Sequence, residues 1–452
     1  MSPEPPAKRR FPHTYVLLLA LVAFAAALTH VIPAGSFQRI TQGGQTLVVP
    51  GSYAPVPAHP AGVGSVFMAW PRGLKATASI VFYIFLIGGT FGVINATGAV
   101  DGAIGLVVRA GRGRGPWVLA ALMLAFSLGG GTIGMAEETL PFIPALVLLA
   151  RRMGYDDVTG CAIALVGAGA GFSGAFLNPF TVGVGQGIAG VPLFSGMGYR
   201  LFVWTVITVI AIVYVLRYAG RIRREPETAI EDSSAKVVLT MRHRAVLAVL
   251  FLTLGAVVVG AMKLEWGLDQ LAALFVASAG LCGLAGGLGP STTAERFVEG
   301  AAGIAGGALV VGLARGVLVI FDGAGVTDTL LNAMAGAVAG LPAWGSVLGI
   351  YAVQVALSYI VPSGSGQAAL SLPILVPLAD MVGVTRQTSV LAYQFGDGFS
   401  NILTPTQGYF MAALALAKIP FARWARFVFP LQLLWLAAGG ALLLIAYAIG
   451  WQ

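Results

Sequence analysis

Charged residues are scarce in this sequence. Only 10% of the 452 residues are Asp, Glu, Lys or Arg, whereas soluble domains carry about 25%. Hydrophobic residues make up 57% of the chain, so there is too little polar surface to cover a fold of this size in water. The composition excludes an ordinary soluble protein and predicts a chain that lies in a lipid bilayer, where each helical span needs about 20 apolar residues.

Cysteine and histidine are also rare, with 2 and 4 copies. Cys161 and Cys282 lie in apolar runs and are not spaced as metal ligands. The sequence also lacks a P-loop and the H-E-x-x-H motif of zinc proteases. We therefore expect no enzyme activity and no cofactor, and the missing P-loop argues against ATP as the direct source of energy.

The positive charge is distributed unevenly. The net charge is +8, and most of the 26 Lys and Arg residues fall on one side of the apolar segments proposed below. Short loops rich in Lys and Arg stay in the cytoplasm, so this bias places the N-terminus in the cytoplasm and the C-terminus outside. The basic excess reports membrane topology and does not indicate a nucleic-acid partner.

The apolar runs predict an all-α membrane protein with about ten transmembrane helices. A polar stretch rich in charge at 225–236 separates two halves, and the first run, 15–32, is interpreted as a retained first helix. The predicted parts are a cytoplasmic tail (1–10), a first repeat (11–224), a cytoplasmic linker (225–244), an extra span (245–262) and a second repeat (263–452).

Each half contains two interrupted apolar segments. In the first half these are a hairpin at 115–150, broken at 129–138, and a broken helix at 157–190, broken at 172–181. The two apolar halves of that hairpin, 116–128 and 139–150, are each too short to cross a bilayer. The sequence therefore predicts a re-entrant hairpin, which enters the membrane and returns to the same side.

The second half repeats this pattern with a hairpin at 343–380, broken at 362–367, and a broken helix at 387–417, broken at 397–407. The first hairpin opens from the arginine-rich side, and counting spans places the opening of the second on the other side. Inverted repeats whose broken helices meet near the midplane are the design of many secondary transporters.

Interrupted helices leave backbone N–H and C=O groups without partners, and within lipid these groups must bind an ion, a substrate or each other. Helix N-termini favour anions and C-termini favour cations. The alternative is that Gly and Pro merely kink packed helices. The polar residues at the breaks are the candidate substrate- and ion-binding residues, and they are Thr132, Glu137, Glu138, Thr139, Ser173, Asn178, Thr181, Ser363, Ser365, Gln367, Asp397, Ser400, Asn401, Thr404 and Thr406, with Gln407 beside them.

Three of these candidates are acids. Glu137 and Glu138 start the second half of the first hairpin, and Asp397 stands at the second helix break. Carboxylates within the membrane are costly and predict binding of a substrate ammonium group, a coupling cation or a proton. The alternative for the glutamates is an N-cap role. Arg315 lies deep in a span and either pairs with Asp322, Asp397 or a glutamate, or meets a substrate carboxylate.

Several motifs resemble those of the YfcC family, and the likeness extends from Phe11 onward. They are GMAEETLP (134–141), GFSGAFLNPFT (171–181), GIAGVPLFSG (187–196), VPSGSGQ (361–367) and FGDGFSN (395–401). The resemblance implies membership of the ion transporter superfamily, near arginine/ornithine antiporters of the ArcD type and C4-dicarboxylate anaerobic carriers of the DcuC type. It also implies a homodimer in a bacterial inner membrane, with a scaffold domain and a transport domain that moves as an elevator. Gln407 departs from the serine that the family pattern leads us to expect.

Two substrate classes remain open. The acids at the breaks favour a basic amino acid, carried by an antiporter or symporter of the arginine/ornithine type. The alternative is a C4-dicarboxylate or another carboxylate, coupled to Na⁺ or H⁺, with Na⁺ expected near Asn178 and Asn401. A channel or a receptor-like membrane protein is a third class, and passive flux far above carrier turnover would identify a channel.

Overall fold

The computed structural model describes residues 14–42, 45–99, 115–223, 240–264 and 266–452. The predicted cytoplasmic tail and most of the predicted linker lie outside these ranges.

The first half of the described chain is built from helices α1 to α8. They are α1 (Thr14–Leu28), α2 (Val63–Ala76), α3 (Ala78–Ala96), α4 (Gly115–Ile133), α5 (Ile143–Arg152), α6 (Asp157–Ser173), α7 (Val184–Ala189) and α8 (Met197–Ile222). A 3-10 segment (Glu137–Phe142) precedes α5, and a π-helical turn (Pro179–Gly183) precedes α7.

The second half contains ten further helices among the described residues. They are α9 (Met241–Lys263), α10 (Leu268–Gly286), α11 (Pro290–Ala302), α12 (Ala305–Gly323), α13 (Thr327–Val338), α14 (Ala343–Ile360), α15 (Gly364–Met381), α16 (Arg386–Ser400), α17 (Gly408–Leu416) and α18 (Phe421–Ala448). A helix therefore occupies the position predicted for the extra span at 245–262.

Six of these helices are long and apolar enough to cross a membrane, among the residues described. The number rises to seven if α12 and α13, which meet at a bend of 79°, count as one span. This supports a multi-pass membrane protein with fewer full-length spans than the ten predicted. Interruption is one reason, because α6 and α7 are separate short pieces of 17 and 6 residues.

Segment 33–62 contains short strands that the sequence did not predict. Strand β1 (Gly35–Ser36) pairs with β4 (Ala54–Pro55), and β2 (Arg39–Gln42) pairs with β3 (Gln45–Val48), both antiparallel. Asp328, the second residue of α13, accepts a hydrogen bond from Phe37 N at 2.9 Å and one from Arg39 Nη2 at 2.8 Å. The strands are thereby attached to the bend between α12 and α13.

One prediction about the first hairpin is wrong. Its first leg does not end near residue 128, because α4 continues through Gly129, Gly130 and Gly131 to Ile133 and is long enough to span. Glycine is a poor helix former, but here it allows close packing. A β-carbon at Gly130 would overlap the carbonyl oxygen of Ala168 on α6, so helix–helix contact outweighs propensity. The interruption itself is confined to 134–136.

The other interruptions lie close to the predicted places. The gap between α6 and α7 begins at Gly174, and α14 and α15 are separated by residues 361–363. The break predicted at 397–407 is shorter, because α16 continues to Ser400. Asp397 therefore lies in the last turn of a helix and not in an unwound segment.

The helices pack in two groups. Helix α3 packs on α10 and α11, and α2 packs on α12. In the second group, α4, α5 and α8 pack on α6, while α14, α15 and α18 pack on α16. Direct contact between α6 and α16 joins the two interrupted parts of the chain into this second group. Helix α17 links the groups, because it packs mainly on α12 and also contacts α6.

Candidate functional site

The turn of the first hairpin lies against the first broken helix. Gly134 has a φ of +70°, and a β-carbon there would lie 2.6 Å from Asn178 Oδ1. Asn178 Oδ1 accepts a hydrogen bond from Phe180 N at 2.9 Å, and the amides of Phe176 and Leu177 donate to the carbonyl oxygen of Gly131 at 3.2 and 3.0 Å. The glycine therefore allows a close approach that a larger residue would block.

The second hairpin meets both broken helices at its turn. A β-carbon on Gly364, the first residue of α15, would lie 2.8 Å from Thr181 Cγ2 and 3.1 Å from Asp397 Oδ2. Tyr393 donates a hydrogen bond from its hydroxyl group to the carbonyl oxygen of Gly364 at 2.7 Å. The N-terminal end of α15 is thus held between the first break and the end of α16.

The two broken helices touch each other just before they end. A β-carbon on Gly398 would lie 2.6 Å from Ser173 Oγ, and Gln394 Nε2 donates a hydrogen bond to the carbonyl oxygen of Phe172. The structure therefore brings all four interruptions of the sequence to one buried region. We use the name "the four interruptions" for each break together with the helix ends beside it, that is, residues 129–142, 172–183, 361–367 and 397–408.

The second break is stabilised by its own polar side chains. Asn401 Nδ2 donates to Asp397 Oδ2 at 3.5 Å, and Gln407 Nε2 donates to Asn401 Oδ1 at 2.9 Å. The hydroxyl group of Thr404 donates to the carbonyl oxygen of Ser400 at 2.7 Å. Gln407, where the family pattern predicts serine, reaches across the break and orients Asn401.

A buried glutamine on α14 belongs to the same region, and sequence analysis missed it. Gln367 Nε2 donates to both the carbonyl oxygen and Oε1 of Gln354, each at 2.8 Å. Gln354 Nε2 donates to Ser371 Oγ at 2.9 Å. Gln354 lies in the middle of an apolar helix and not at a break, so its only signal in the sequence is one amide within an apolar run.

Several buried polar atoms around the four interruptions have no hydrogen-bond partner among the described residues. They are Asn178 Nδ2, Thr181 Oγ1, Ser358 Oγ, Gln367 Oε1, Gln394 Oε1 and Asp397 Oδ1. Buried polar groups in folded proteins are normally paired, and leaving one unpaired costs about 1–3 kcal/mol. A cluster of them at one place is the chemistry expected of a site that binds a polar solute or an ion.

Asp397 is fully buried. Among the described residues no basic side chain lies within 4 Å of it, and the four interruptions contain no Lys, Arg or His. Arg315 interacts electrostatically with Asp322, which is the first of the partners left open by the sequence. The acid at the end of α16 therefore lacks a countercharge from the described part of the protein.

Glu137 and Glu138 begin the 3-10 segment, which packs against α3, α5 and α17. Glu138 Oε2 accepts a hydrogen bond from Ala136 N at 3.0 Å, whereas the N-cap of the segment is Ala136 and not a glutamate. Tyr83 on α3 lies within electrostatic range of both glutamates, and Tyr409 on α17 lies within that of Glu137. The acid pair consequently faces the boundary between the two helix groups.

The remaining candidates make local hydrogen bonds or are exposed, although Thr139 and Thr406 are buried. Ser365 is exposed, and the hydroxyl group of Thr132 donates to the carbonyl oxygen of Leu128 at 2.6 Å, within α4. Thr139 bonds the carbonyl oxygen of Ala136 at 2.6 Å. Ser363 caps α15 by accepting from Gly366 N at 3.3 Å, and Thr406 donates to the carbonyl oxygen of Tyr359 at 3.2 Å.

Comparison with known sequences agrees with the motifs. A family model for the C4-dicarboxylate anaerobic carrier, DcuC, matches residues 11–448. YfcC of Escherichia coli (strain K12), provisionally named a basic amino acid antiporter, is 36% identical over 373 residues, covering 77% of this chain and 73% of that protein. An uncharacterized protein of Haemophilus influenzae is 28% identical and is matched over 97% of both chains.

Two solved transporter structures align over nearly the whole chain. The YdaH transporter of Alcanivorax borkumensis is 17% identical, with a TM-score of 0.45 and coverage of 97% of this chain and 99% of that one. MtrF of Neisseria gonorrhoeae, described within a class of antimetabolite efflux pumps, is 15% identical, with a TM-score of 0.43 and coverage of 97% and 95%.

Proposed function

We propose a substrate, a coupling mode and a mechanism for this chain, which belongs to the family of C4-dicarboxylate anaerobic carriers. As a member of that family, with YfcC as a relative, it is a multi-pass membrane transporter of a small solute and not an enzyme. The substrate class that we propose is a basic amino acid of the arginine or ornithine type, carried by antiport or symport.

The observation that supports this proposal is that the charged residue types at the four interruptions are all acids. Glu137, Glu138 and Asp397 lie there, and the same segments contain no Lys, Arg or His. A carboxylate taken out of water needs a cationic partner or extensive hydrogen bonding. The guanidinium or ammonium group of a basic amino acid would supply that charge. The name of the Escherichia coli relative YfcC specifies the same substrate class.

The second candidate is a Na⁺- or H⁺-coupled carrier of C4-dicarboxylates or another carboxylate. The description of the family names those substrates, and the unpaired Asn178 Nδ2, the hydroxyl group of Thr181 and the N-terminus of α15 are groups that bind carboxylates. In this case the acids would hold the coupling ion, with Na⁺ near Asn178 and Asn401.

For the mechanism we propose an elevator. The helices that pack around α6 and α16 would form the moving transport domain, and those that pack around α3 and α12 would form the scaffold. We further propose about ten spans in two inverted repeats, a homodimer, and insertion in the bacterial inner membrane with the N-terminus in the cytoplasm. The broken helices and the basic loops are the support for this arrangement.

Counterflow in proteoliposomes tests the substrate class. Vesicles loaded with unlabelled L-arginine, L-ornithine or succinate receive the corresponding labelled compound outside, with and without Na⁺ and a pH gradient. We expect saturable exchange of arginine and ornithine. Saturable exchange of succinate without arginine exchange would replace the first substrate class with the second.

Variants then test the role of the acids. Glu137→Gln and Glu138→Gln keep the size of each side chain and remove its charge, so we expect counterflow to fall at least about tenfold in one or both. Glu299→Gln is the matched control, because Glu299 is an exposed acid on α11 paired with Arg296. Wild-type counterflow in both glutamine variants would exclude the pair from the site.

A further inference from the structure

A cavity of about 190 Å³ lies at the boundary between the two helix groups. Its walls come from the C-terminal part of α3, from α5 along most of its length and from the end of α17 with the residues just after it. The residues that identify it are Phe91, Asn95, Leu148, Arg151, Leu416 and Lys418. Both apolar and charged groups line the cavity, and α3 belongs to a different packing group from α5.

The same three parts of the chain also surround the acid pair. Glu137 and Glu138 begin the 3-10 segment that leads into α5, Tyr83 lies near the start of α3, and Tyr409 lies at the start of α17. Helices α3 and α17 therefore run from the acid pair towards the cavity, and α5 lines the cavity from its first turn onward. At about 1.5 Å per residue, the path from Tyr83 to Asn95 is roughly 18 Å and that from Tyr409 to Lys418 roughly 14 Å.

These lengths are about half of the 30 Å thickness of a bilayer core. If the acids lie near the midplane, the cavity lies at one membrane surface. The residues at this end are basic. Arg151 is held by Asp157 through Nη2 and Oδ2 at 2.9 Å, whereas Lys418 is exposed and has no ion-pair partner within 4 Å among the described residues. Basic helix ends of this kind face the cytoplasm.

We propose that this cavity is the cytoplasmic vestibule of the carrier, through which solute passes between α3, α5 and α17 to reach Glu137 and Glu138. The inference rests on the proposed transport function and adds the route of access. It also places Lys418 at the cytoplasmic opening of the cavity, which we call its mouth. The sign of the charge on this side chain therefore affects how charged solutes enter from the cytoplasm.

The two native cysteines make an accessibility test practical, because both are fully buried. In a background with Cys161→Ala and Cys282→Ala, Ala145→Cys and Leu148→Cys each place one thiol on the cavity wall. A cationic, membrane-impermeant methanethiosulfonate reagent should modify both at least about tenfold faster in inside-out vesicles than in right-side-out vesicles. L-arginine, or succinate if that is the compound exchanged, should slow the modification.

Two further variants serve as controls. Phe251→Cys places a thiol on the exposed apolar surface of α9, where 72% of the side chain is accessible without lipid, and the reagent should not reach it inside the membrane. Val63→Cys, exposed at the start of α2, should react from the opposite side. Thiols at Ala145 and Leu148 that fail to react from the cytoplasmic side would overturn the vestibule.

The experiments distinguish a failure of the vestibule proposal from a failure of the transport proposal. Counterflow by the cysteine-free parent is measured first, and its loss with all three solutes counts against the transport proposal. Retained counterflow with unreactive cavity thiols counts against the vestibule alone. In either case we measure from which side of the membrane the thiols are modified.

Charge reversal at the mouth gives a second readout. Lys418→Glu should lower the cytoplasmic KM for arginine several-fold, or raise that for succinate, while kcat stays near its original value. Arg217→Glu is the matched control, because Arg217 is an exposed cation on α8 that does not line the cavity. An equal change in both variants, or no change in Lys418→Glu, would contradict a role for Lys418 at the mouth.

Discussion

Asp397 lies directly beside the backbone of Gly364, so that a β-carbon on the glycine would come within 3.1 Å of Asp397 Oδ2. Tyr393, one helical turn before Asp397, donates its hydroxyl hydrogen to the carbonyl oxygen of the same glycine. The contact joins the end of one broken helix to the start of the second hairpin leg. Any solute or ion that binds Asp397 must therefore also approach the first turn of α15.

The first prediction concerns the size of residue 364. Gly364→Ala introduces a methyl group 2.8 Å from Thr181 Cγ2 and 3.1 Å from Asp397 Oδ2, so the turn must shift away from the acid. We expect counterflow to fall at least about tenfold, which is about 1.4 kcal/mol. Gly336→Ala is the control, because a β-carbon there meets nothing within 4 Å. Equal transport by the two variants would show that the contact is not needed.

The second prediction separates binding from folding at Asp397. Asp397→Asn keeps the shape and removes a buried charge that has no basic partner among the described residues. Removing an unpaired buried charge relieves a desolvation cost, so we expect the melting temperature in detergent to stay the same or rise. Counterflow should nevertheless fall at least about tenfold. A large loss of thermal stability would instead assign a structural role to the carboxylate.

The third prediction concerns the attachment of the β-strands. Asp328 is buried and accepts bonds from Phe37 N and Arg39 Nη2, whereas the Arg39 side chain is 43% exposed. Asp328→Ala should cost about 1–3 kcal/mol because it leaves a buried amide unpaired. Arg39→Gln should cost no more than about 1 kcal/mol, since partly exposed ion pairs contribute little. Thermal unfolding of both variants shows which substitution lowers the stability more. A larger loss of stability in Arg39→Gln than in Asp328→Ala would contradict the prediction.

The fourth prediction concerns the contact between α4 and α6. A β-carbon at Gly171 would overlap the carbonyl oxygen of Ser127, which is backbone and cannot rotate away. Gly171→Ala should therefore destabilise the protein by about 3 kcal/mol or more, seen as a lower melting temperature and less monodisperse protein. Gly187→Ala, where a β-carbon meets nothing within 4 Å, should leave both unchanged. A stable Gly171→Ala variant would show that the helices can separate at low cost.

Local sequence features were sufficient to locate the interruptions. Gly174 and Pro179 in the first half, and the proline and glycines at 362–366 in the second, disfavour continuous helix, and the structure breaks close to both places. They were not sufficient at Gly129, Gly130 and Gly131, where α4 remains helical. Packing against α6 decides that outcome, and a partner helix about 40 residues away is invisible to a local pattern. The same limit applies to Gln354, whose partners Gln367 and Ser371 lie on another helix.

The sequence by itself determined that this is a multi-pass membrane protein, roughly where its helices are interrupted, and that acids are the only residues of ionisable Asp, Glu, Lys, Arg or His type at those interruptions. These properties follow from composition and local backbone preference, which act over a few residues. Only the tertiary structure decided that the four interruptions meet, that Asp397 faces Gly364 while the glutamates face α3 and α17, and that a cavity lies beyond the glutamates. Those relationships depend on contacts between residues up to several hundred positions apart, which packing selects and no local pattern specifies.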